Sequence, residues 1–182
     1  MGTNQGDRAL RTDGFEVRVV RPEEYRAAGR VTALAYSEFA PGPGAPDYHD
    51  WQGYLAELED VAGRVDRLLV LVAVEGSRVL GCVSLELTQT LGDDDEELEP
   101  DAAHVRMFGV DPAAQGRGVG KALVLACIDR ARREGKRFVT LRTTAPMTAA
   151  RGLYGSMGFV PDPDNDLWPD PDFQLIAYRL AL

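Results

Sequence analysis

Apolar and polar residues alternate along several short segments of this chain, and this pattern predicts the strands of a sheet. Residues 68–74, LLVLVAV, are instead continuously apolar, which indicates a strand buried on both faces. A tight hairpin joins it to the next strand, in which Glu86 lies on the face opposite Val83 and Leu85. The predicted strands are residues 15–20, 68–74, 78–87, 103–110, 137–142 and 174–180.

Apolar residues three and four positions apart predict helices between these strands. The four helices begin at Pro22, at about Asp47, after the glycines at 116–120, and near residue 147. Gly135 and Gly158 are placed to end the last two, and residues 160–173 are too rich in Pro and Asp for regular structure. This order predicts one α/β or α+β layer domain over residues 14–182, preceded by a mobile tail at residues 1–13.

Composition narrows the class of protein. The net charge of −9 argues against general nucleic-acid binding, and no apolar run reaches the ~20 residues of a membrane-spanning helix. Cys82 and Cys127 lie in apolar segments and read as small buried hydrophobes, too few for a disulfide framework or a zinc site. We therefore expect a cytoplasmic protein in a reducing compartment, with no metal and no membrane partner.

The charges are unevenly distributed along the chain. Residues 93–101, DDDEELEPD, hold seven acids and no base, and such a run is either a solvated loop or a surface for a cation. Residues 115–151 hold nine Lys and Arg against two acids, which suits an anionic ligand or simply solvates helices. Charge alone leaves both alternatives open.

A glycine-rich turn follows the predicted fourth strand, where Gly116, Gly118 and Gly120 alternate before a helix. The N–H groups at a helix start have no partner within the helix, and bare glycines let an anion approach them. The spacing is not the G-x-G-x-x-G of dinucleotide sites, and Ala122 after Lys121 breaks the G-x-x-x-x-G-K-[ST] pattern of nucleoside triphosphate sites. The turn holds either another phosphate-bearing ligand or nothing.

The segment QGRGVG, residues 115–120, resembles the Q/R-x-x-G-x-G/A signature of the GNAT superfamily of acyl-CoA-dependent N-acyltransferases. Downstream, LYGSMGF at residues 153–159 is similar to the L-Y-x-x-x-G-F segment of that family. The resemblance covers roughly residues 68–182. It implies a mixed, mostly antiparallel sheet of about seven strands with about four helices, in which the parallel fourth and fifth strands splay apart.

The resemblance also implies a co-substrate, acetyl-CoA, and the residues that bind it. The backbone from Gln115 to Lys121 would bind the pyrophosphate, and the fourth strand would run beside the pantetheine arm. The implied residues are Phe108, Gly109, Val110, Gln115, Gly116, Arg117, Gly118, Val119, Gly120 and Lys121.

Three residues are candidates for proton transfer during acetyl transfer to an amine. Tyr154 matches the family's tyrosine and would protonate the leaving thiolate. A protonated amine needs a base, for which His104 is our first choice and Glu86, on the adjacent strand, our second. Each of the three has a plain alternative as an ordinary packing or strand residue.

In this family the acceptor site is formed by the first two helices and the last hairpin. Here these parts carry aromatic and acidic residues, which suit a cationic amine but equally suit core packing and a solvated loop. They are Tyr36, Phe39, Tyr48, Trp51, Trp168, Asp162, Asp164, Asp166, Asp170 and Asp172. We expect an N-acetyltransferase of small-molecule or protein amines, as a monomer or homodimer; the alternative is a non-catalytic acyl-CoA sensor.

Overall fold

The computed structural model describes residues 10–12, 14–40, 48–88 and 99–182. Within these ranges the strands are β1 Leu10–Thr12, β2 Phe15–Val19, β3 Leu69–Glu75, β4 Arg78–Glu86, β5 Ala102–Val110, β6 Phe138–Thr143, β7 Val160–Pro161, β8 Leu167–Asp170 and β9 Phe173–Ala181. The helices are α1 Tyr25–Ser37, α2 Tyr48–Glu59, α3 Val119–Arg133 and α4 Thr148–Ser156. Most of the acidic run at residues 93–101 lies outside the described residues.

The chain divides into two compact units. The first contains Met1–Ser84 and Met107–Ala126, and the second contains Leu85–Arg106 and Cys127–Leu182. The prediction of one domain over residues 14–182 stays a prediction. None of the helices within the described ranges is long and apolar enough to cross a membrane.

In the first unit, β1, β2 and β3 pair in antiparallel order. Thr12 pairs with Phe15, so β1 and β2 form a hairpin, and its connection includes Gly14 at φ 105°. The predicted tail is therefore wrong at Leu10–Thr12, because this three-residue strand is too short to show alternation. Residues 1–9 and 13 lie outside the described residues.

The core of the first unit forms at β3, which buries both of its faces as the continuous apolar run predicted, and at β4, which also buries both faces although only one of them was expected to be apolar. Its buried cluster comprises Val20, Ala28, Val61, Val70, Val72, Val74, Val79 and Cys82. Helix α1 also packs tightly on β5 at Gly109, where a Cβ would come within 2.8 Å of Thr32 Cα. This close approach fixes α1 against the part of β5 that precedes the glycine-rich turn.

In the second unit, β5 and β6 pair in parallel and β6 pairs antiparallel with β9, so the sheet is mixed as predicted. The parallel register runs from Ala102–Phe138 to Val105–Leu141, whereas β5 continues to Val110 and β6 to Thr143. The two strands therefore pair over only part of their length. This matches the predicted splay of the fourth and fifth strands, which are β5 and β6 here.

Both predicted helix ends are confirmed by their capping bonds. Lys136 N–H donates to Ala131 O at 3.0 Å beyond Gly135, and Phe159 N–H donates to Tyr154 O at 3.1 Å beyond Gly158. Both glycines have positive φ, 72° and 89°, as this type of helix end requires. The second cap holds α4 against the chain that follows it.

Residues 160–173 contain more regular structure than the sequence predicted. β7 and β8 both pair with β9, and a short 3-10 turn, Pro163–Asn165, lies between them. Proline lacks a donor, but it is tolerated on short strands of this kind that pair on one side. These additions raise the strand count from the predicted seven or so to nine within the described ranges.

Candidate functional site

The glycine-rich turn of the first unit begins at Asp111, which is fixed by hydrogen bonds on both sides. Its N–H donates to Leu80 O of β4 at 2.8 Å, and its carboxylate accepts from the N–H of Ala113 at 2.9 Å. The carboxylate also pairs with Arg78 at 2.6 Å. The Arg78 hydrogen bond, with help from Ala113, lowers the pKa of Asp111, so the carboxylate stays ionised at neutral pH. The start of the turn is thereby anchored to β4.

Helix α3 begins without a side-chain cap. Ala122 N–H donates to Gly118 O at 3.0 Å, so Gly118 is the residue that caps the helix. Glycine has no side chain to accept from the first N–H groups, and those of Val119, Gly120 and Lys121 have no acceptor within the helix. Gly116 and Gly118 have φ of 75° and 78°, a backbone conformation that other residues rarely adopt. The predicted anion cradle thus lies at the positive end of α3, where Gly116, Arg117 and Gly118 are exposed and Val119 is buried.

A side chain of the turn is already paired with an acid of β3. Arg117 Nη2 lies 2.5 Å from Glu75 Oε1, and both side chains are exposed. The hydrogen bond from Arg117 lowers the pKa of Glu75. The β3–β4 hairpin therefore contributes two ion pairs to the turn, through Glu75 and Arg78.

The backbone of β5 is irregular next to the turn. Met107 has φ 48°, a left-handed conformation within a strand. Phe108 follows it, and its main chain hydrogen bonds with the hydroxyl of Tyr36. Burial raises the pKa of Tyr36, against the effect of its hydrogen bonds to Tyr54 and Phe108, so the hydroxyl stays protonated. A strained residue in a strand is a marker of functional sites, and sequence reasoning had no signal for it.

Tyr154 of the second unit is buried on α4. Its side chain is 4 % exposed, and its ring packs 5.8 Å from Phe159 and 6.2 Å from Tyr178. The LYGSMGF segment therefore positions Tyr154 through the helix cap and through Phe159.

Glu86 and His104 of the second unit both interact with Arg106, Glu86 through an ion pair and His104 through the charge of the guanidinium. Glu86 is 2 % exposed and pairs with Arg106 at 3.4 Å. His104 Nδ1 lies 2.9 Å from Thr140 Oγ1 on β6. Burial, with the charges of Arg142 and Arg106, lowers the pKa of His104 to about 3. His104 is therefore neutral at physiological pH.

The predicted acceptor residues have varied surroundings. In the first unit, Tyr54 contacts both Tyr36 and Trp51, with ring centroids 5.8 Å apart in each pair. In the second unit, Asp166 accepts from the N–H of Ala177 at 2.7 Å and so has a structural partner. Trp168 is exposed, as are Asp164 and Asp172, and Phe39 is half-buried. The side chains of Tyr48 and Asp170 lie outside the described part of the structure.

Sequence reasoning missed one buried charge. Arg64, between α2 and β3, is 3 % exposed and donates through Nε to Ser84 Oγ at 3.1 Å. In the sequence it is one of several Arg residues near a strand, and nothing marks it as buried. Among the described residues, no group of three or more His, Cys, Asp or Glu side chains is placed to hold a metal ion.

The family model of the acetyltransferase (GNAT) family matches residues 30–159. The chain belongs to this family. The matched region contains the glycine-rich turn, β5 and α4, so the resemblance inferred from two short motifs is confirmed over most of the chain.

Individual GNAT relatives agree with this assignment. The mycothiol acetyltransferase of Sanguibacter keddieii is 32% identical over 152 residues, 80% of this chain and 44% of that protein. The chain spans less than half the length of the curated relatives it matches.

Two solved structures share the fold. One is yncA of Salmonella typhimurium with its cofactor acetyl-CoA, with a TM-score of 0.61, 23% identity, and coverage of 93% of this chain and 94% of that one. The other is a GNAT acetyltransferase of Staphylococcus aureus Mu50, with a TM-score of 0.68, 14% identity, and coverage of 92% and 99%. At these identities the likeness shows the fold alone.

Proposed function

We propose that this chain transfers an acetyl group from acetyl-CoA directly to a primary amine of a small molecule or a protein. The observation that carries the proposal is the uncapped start of α3, where Gly118 leaves the N–H groups of the first turn available to a phosphate. Gln115 to Lys121 would bind the pyrophosphate of acetyl-CoA. The main chain of Phe108, Gly109 and Val110 would bind its pantetheine arm.

Acetyl-CoA supplies the acetyl group as a thioester. The amine nitrogen forms the new bond to the carbonyl carbon, and the carbon–sulfur bond breaks to release a thiolate. We assign Tyr154 as the acid that protonates this thiolate, because its hydroxyl is neutral at pH 7 and its ring is fixed by packing. Burial raises the pKa of Cys82, so this thiol is a poor nucleophile, which favours direct transfer.

We assign the base to Glu86 in preference to His104. Protonation of His104 would create a buried cation beside Arg142 and Arg106, which is why its pKa is about 3, whereas Glu86 takes up a proton without forming a cation. The Glu86 carboxylate can accept the amine proton directly or through a water molecule. His104, as a neutral imidazole, would then hold the region around Arg106 and Thr140.

Two measurements test this function. Thermal shifts with acetyl-CoA, CoA, ATP and NAD should show stabilisation by the two CoA compounds only, and thiol release should require an amine from a panel. Stabilisation by CoA without turnover on any amine would instead favour the acyl-CoA sensor. No stabilisation by CoA would overturn the proposal.

A further inference from the structure

Two buried N–H donors of the first unit have no hydrogen-bond acceptor within the described part of the structure. They are Arg64 Nη2 and Trp51 Nε1. Buried donors in proteins are nearly always paired, because leaving one without a partner forfeits its hydration. An unpaired donor therefore points to a group that is bound there in the working protein.

The other nitrogens of the Arg64 guanidinium have clear structural partners. Nη1 donates to the carbonyls of Glu57, Leu58 and Asp60 at 3.0, 3.1 and 3.1 Å, which lie at the C-terminal end of α2. Nε donates to Ser84 Oγ of β4 at 3.1 Å. These bonds, together with a side-chain hydrogen bond to the Cys82 thiol of β4, hold the guanidinium plane between α2 and β4. Nη2 is the nitrogen that has no acceptor by distance and angle among the described residues.

The charge of Arg64 also lacks an acidic partner. No acidic side chain of the described residues lies within ion-pair distance of it, although it is 3 % exposed. The carbonyls at the end of α2 compensate part of the charge, since a helix C-terminus is negative. A buried charge without a full counter-charge is costly, so an anion bound at Nη2 would gain a charge-assisted hydrogen bond.

Aromatic residues of α1 and α2 connect the two donors. Trp51 contacts Tyr54, whose ring contacts Tyr36, and the charge of Arg64 acts on the hydroxyl of Tyr36. We call Tyr36, Trp51, Tyr54 and Arg64 the Arg64 cluster. It combines flat apolar surface with two donors and contains no acid, which suits a ligand with acceptor atoms.

We propose that the Arg64 cluster binds the carboxylate of an amino-acid-like acceptor, with Arg64 Nη2 donating to a carboxylate oxygen. Trp51 Nε1 donates to a second acceptor atom of the same ligand. This inference rests on the proposed acetyl transfer only in naming the ligand as the amine that is acetylated. The acceptor is thus an amine that also carries a carboxylate, rather than a simple cationic amine.

Binding of carboxylates without acetyl-CoA tests the inference independently of turnover. The probes are N-acetylated amino acids with small, aliphatic, aromatic and acidic side chains, each measured beside its C-terminal amide. We expect the protein to bind at least one carboxylate about tenfold more tightly than the matching amide, which is the effect of losing a hydrogen bond to a charge. Equal affinity throughout the panel would overturn the inference, and a buried water at Nη2 would then be the simpler account.

Two variants assign the preference to the cluster. Arg64→Lys keeps the charge but lacks Nη2, so the preference should fall to about twofold or less, whereas Arg67→Lys, three residues further on and exposed, should keep it. Trp51→Phe keeps the ring and removes only the N–H, and it should weaken carboxylate and amide probes alike by a few-fold. The assignment is wrong if Arg64→Lys folds and keeps the full preference for carboxylates. It is also wrong if Arg64→Lys fails to fold and Trp51→Phe leaves the affinities for both kinds of probe unchanged. Carboxylate binding without CoA binding would overturn the proposed function and leave the site standing.

Discussion

Arg117 Nη2 and Glu75 Oε1 are joined at 2.5 Å, so the guanidinium of the glycine-rich turn is neutralised by an acid of the same protein. The neighbouring N–H groups at the start of α3 carry no such partner. A phosphate that approaches the turn therefore meets a favourable main chain but an arginine that is already engaged. If the turn binds the pyrophosphate as proposed, Glu75 competes with that anion for Arg117.

Glu75→Gln should tighten the binding of CoA. Removing the carboxylate frees Arg117 and removes a negative charge beside the phosphate site, so we expect an increase in affinity of about two- to fivefold at low salt. Titration calorimetry at two salt concentrations measures it, and the gain should shrink at the higher one. Glu134→Gln, which breaks the Arg130–Glu134 pair and makes the same charge change elsewhere, should have no effect on affinity. An equal gain in CoA affinity in both variants would mean that the gain comes from the change in net charge and not from freeing Arg117.

Gly118→Asp should block the phosphate site. An Asp at this position would cap α3 with its own carboxylate and place a negative charge where the phosphate binds. We expect CoA affinity to fall about tenfold or more relative to Gly118→Ala, which has the same strained φ of 78° but no charge. Calorimetry with both variants measures the difference. Equal affinities would mean that the helix start does not hold the anion.

The sequence predicted those features that depend on neighbouring residues. The helix ends at Gly135 and Gly158 follow from short-range spacing, and the structure confirms both of them. Gly116 and Gly118 of the predicted turn also have positive φ. The strand β1 was not predicted, because three residues are too few to show the alternation of apolar and polar positions. Local patterns were therefore reliable only where an element was long enough, or carried a glycine at its end.

Features that depend on distant contacts could not be predicted. Arg64 is buried because it meets Ser84, twenty residues away, and Glu75 reaches Arg117 across 42 residues. Nothing in the local sequence separates Arg64 from an exposed arginine. The left-handed conformation of Met107 is likewise not marked in the local sequence, since a side chain of this type does not favour it.

Tyr154→Phe should slow turnover far more than it weakens co-substrate binding. The change removes the hydroxyl that would protonate the leaving thiolate but keeps the ring contacts to Phe159 and Tyr178. We expect kcat to fall about 100-fold or more and the Kd of CoA to stay within about twofold. Tyr178→Phe makes the same chemical change on the neighbouring ring and should leave kcat nearly unchanged. Equal losses in kcat and in CoA affinity would argue against an acid role for Tyr154.

His104 should make the fold sensitive to mild acid. Its pKa in the folded protein is about 3, against about 6.5 in the unfolded chain, so between these values the unfolded chain binds the proton more readily. Stability should therefore be lost as the pH falls through this window, by about 2 kcal/mol between pH 7 and pH 5. Urea unfolding at both pH values measures the loss, and His104→Gln, which keeps a polar group near Thr140, should remove most of it. Parallel losses in the two proteins would show that the imidazole is not held neutral by burial.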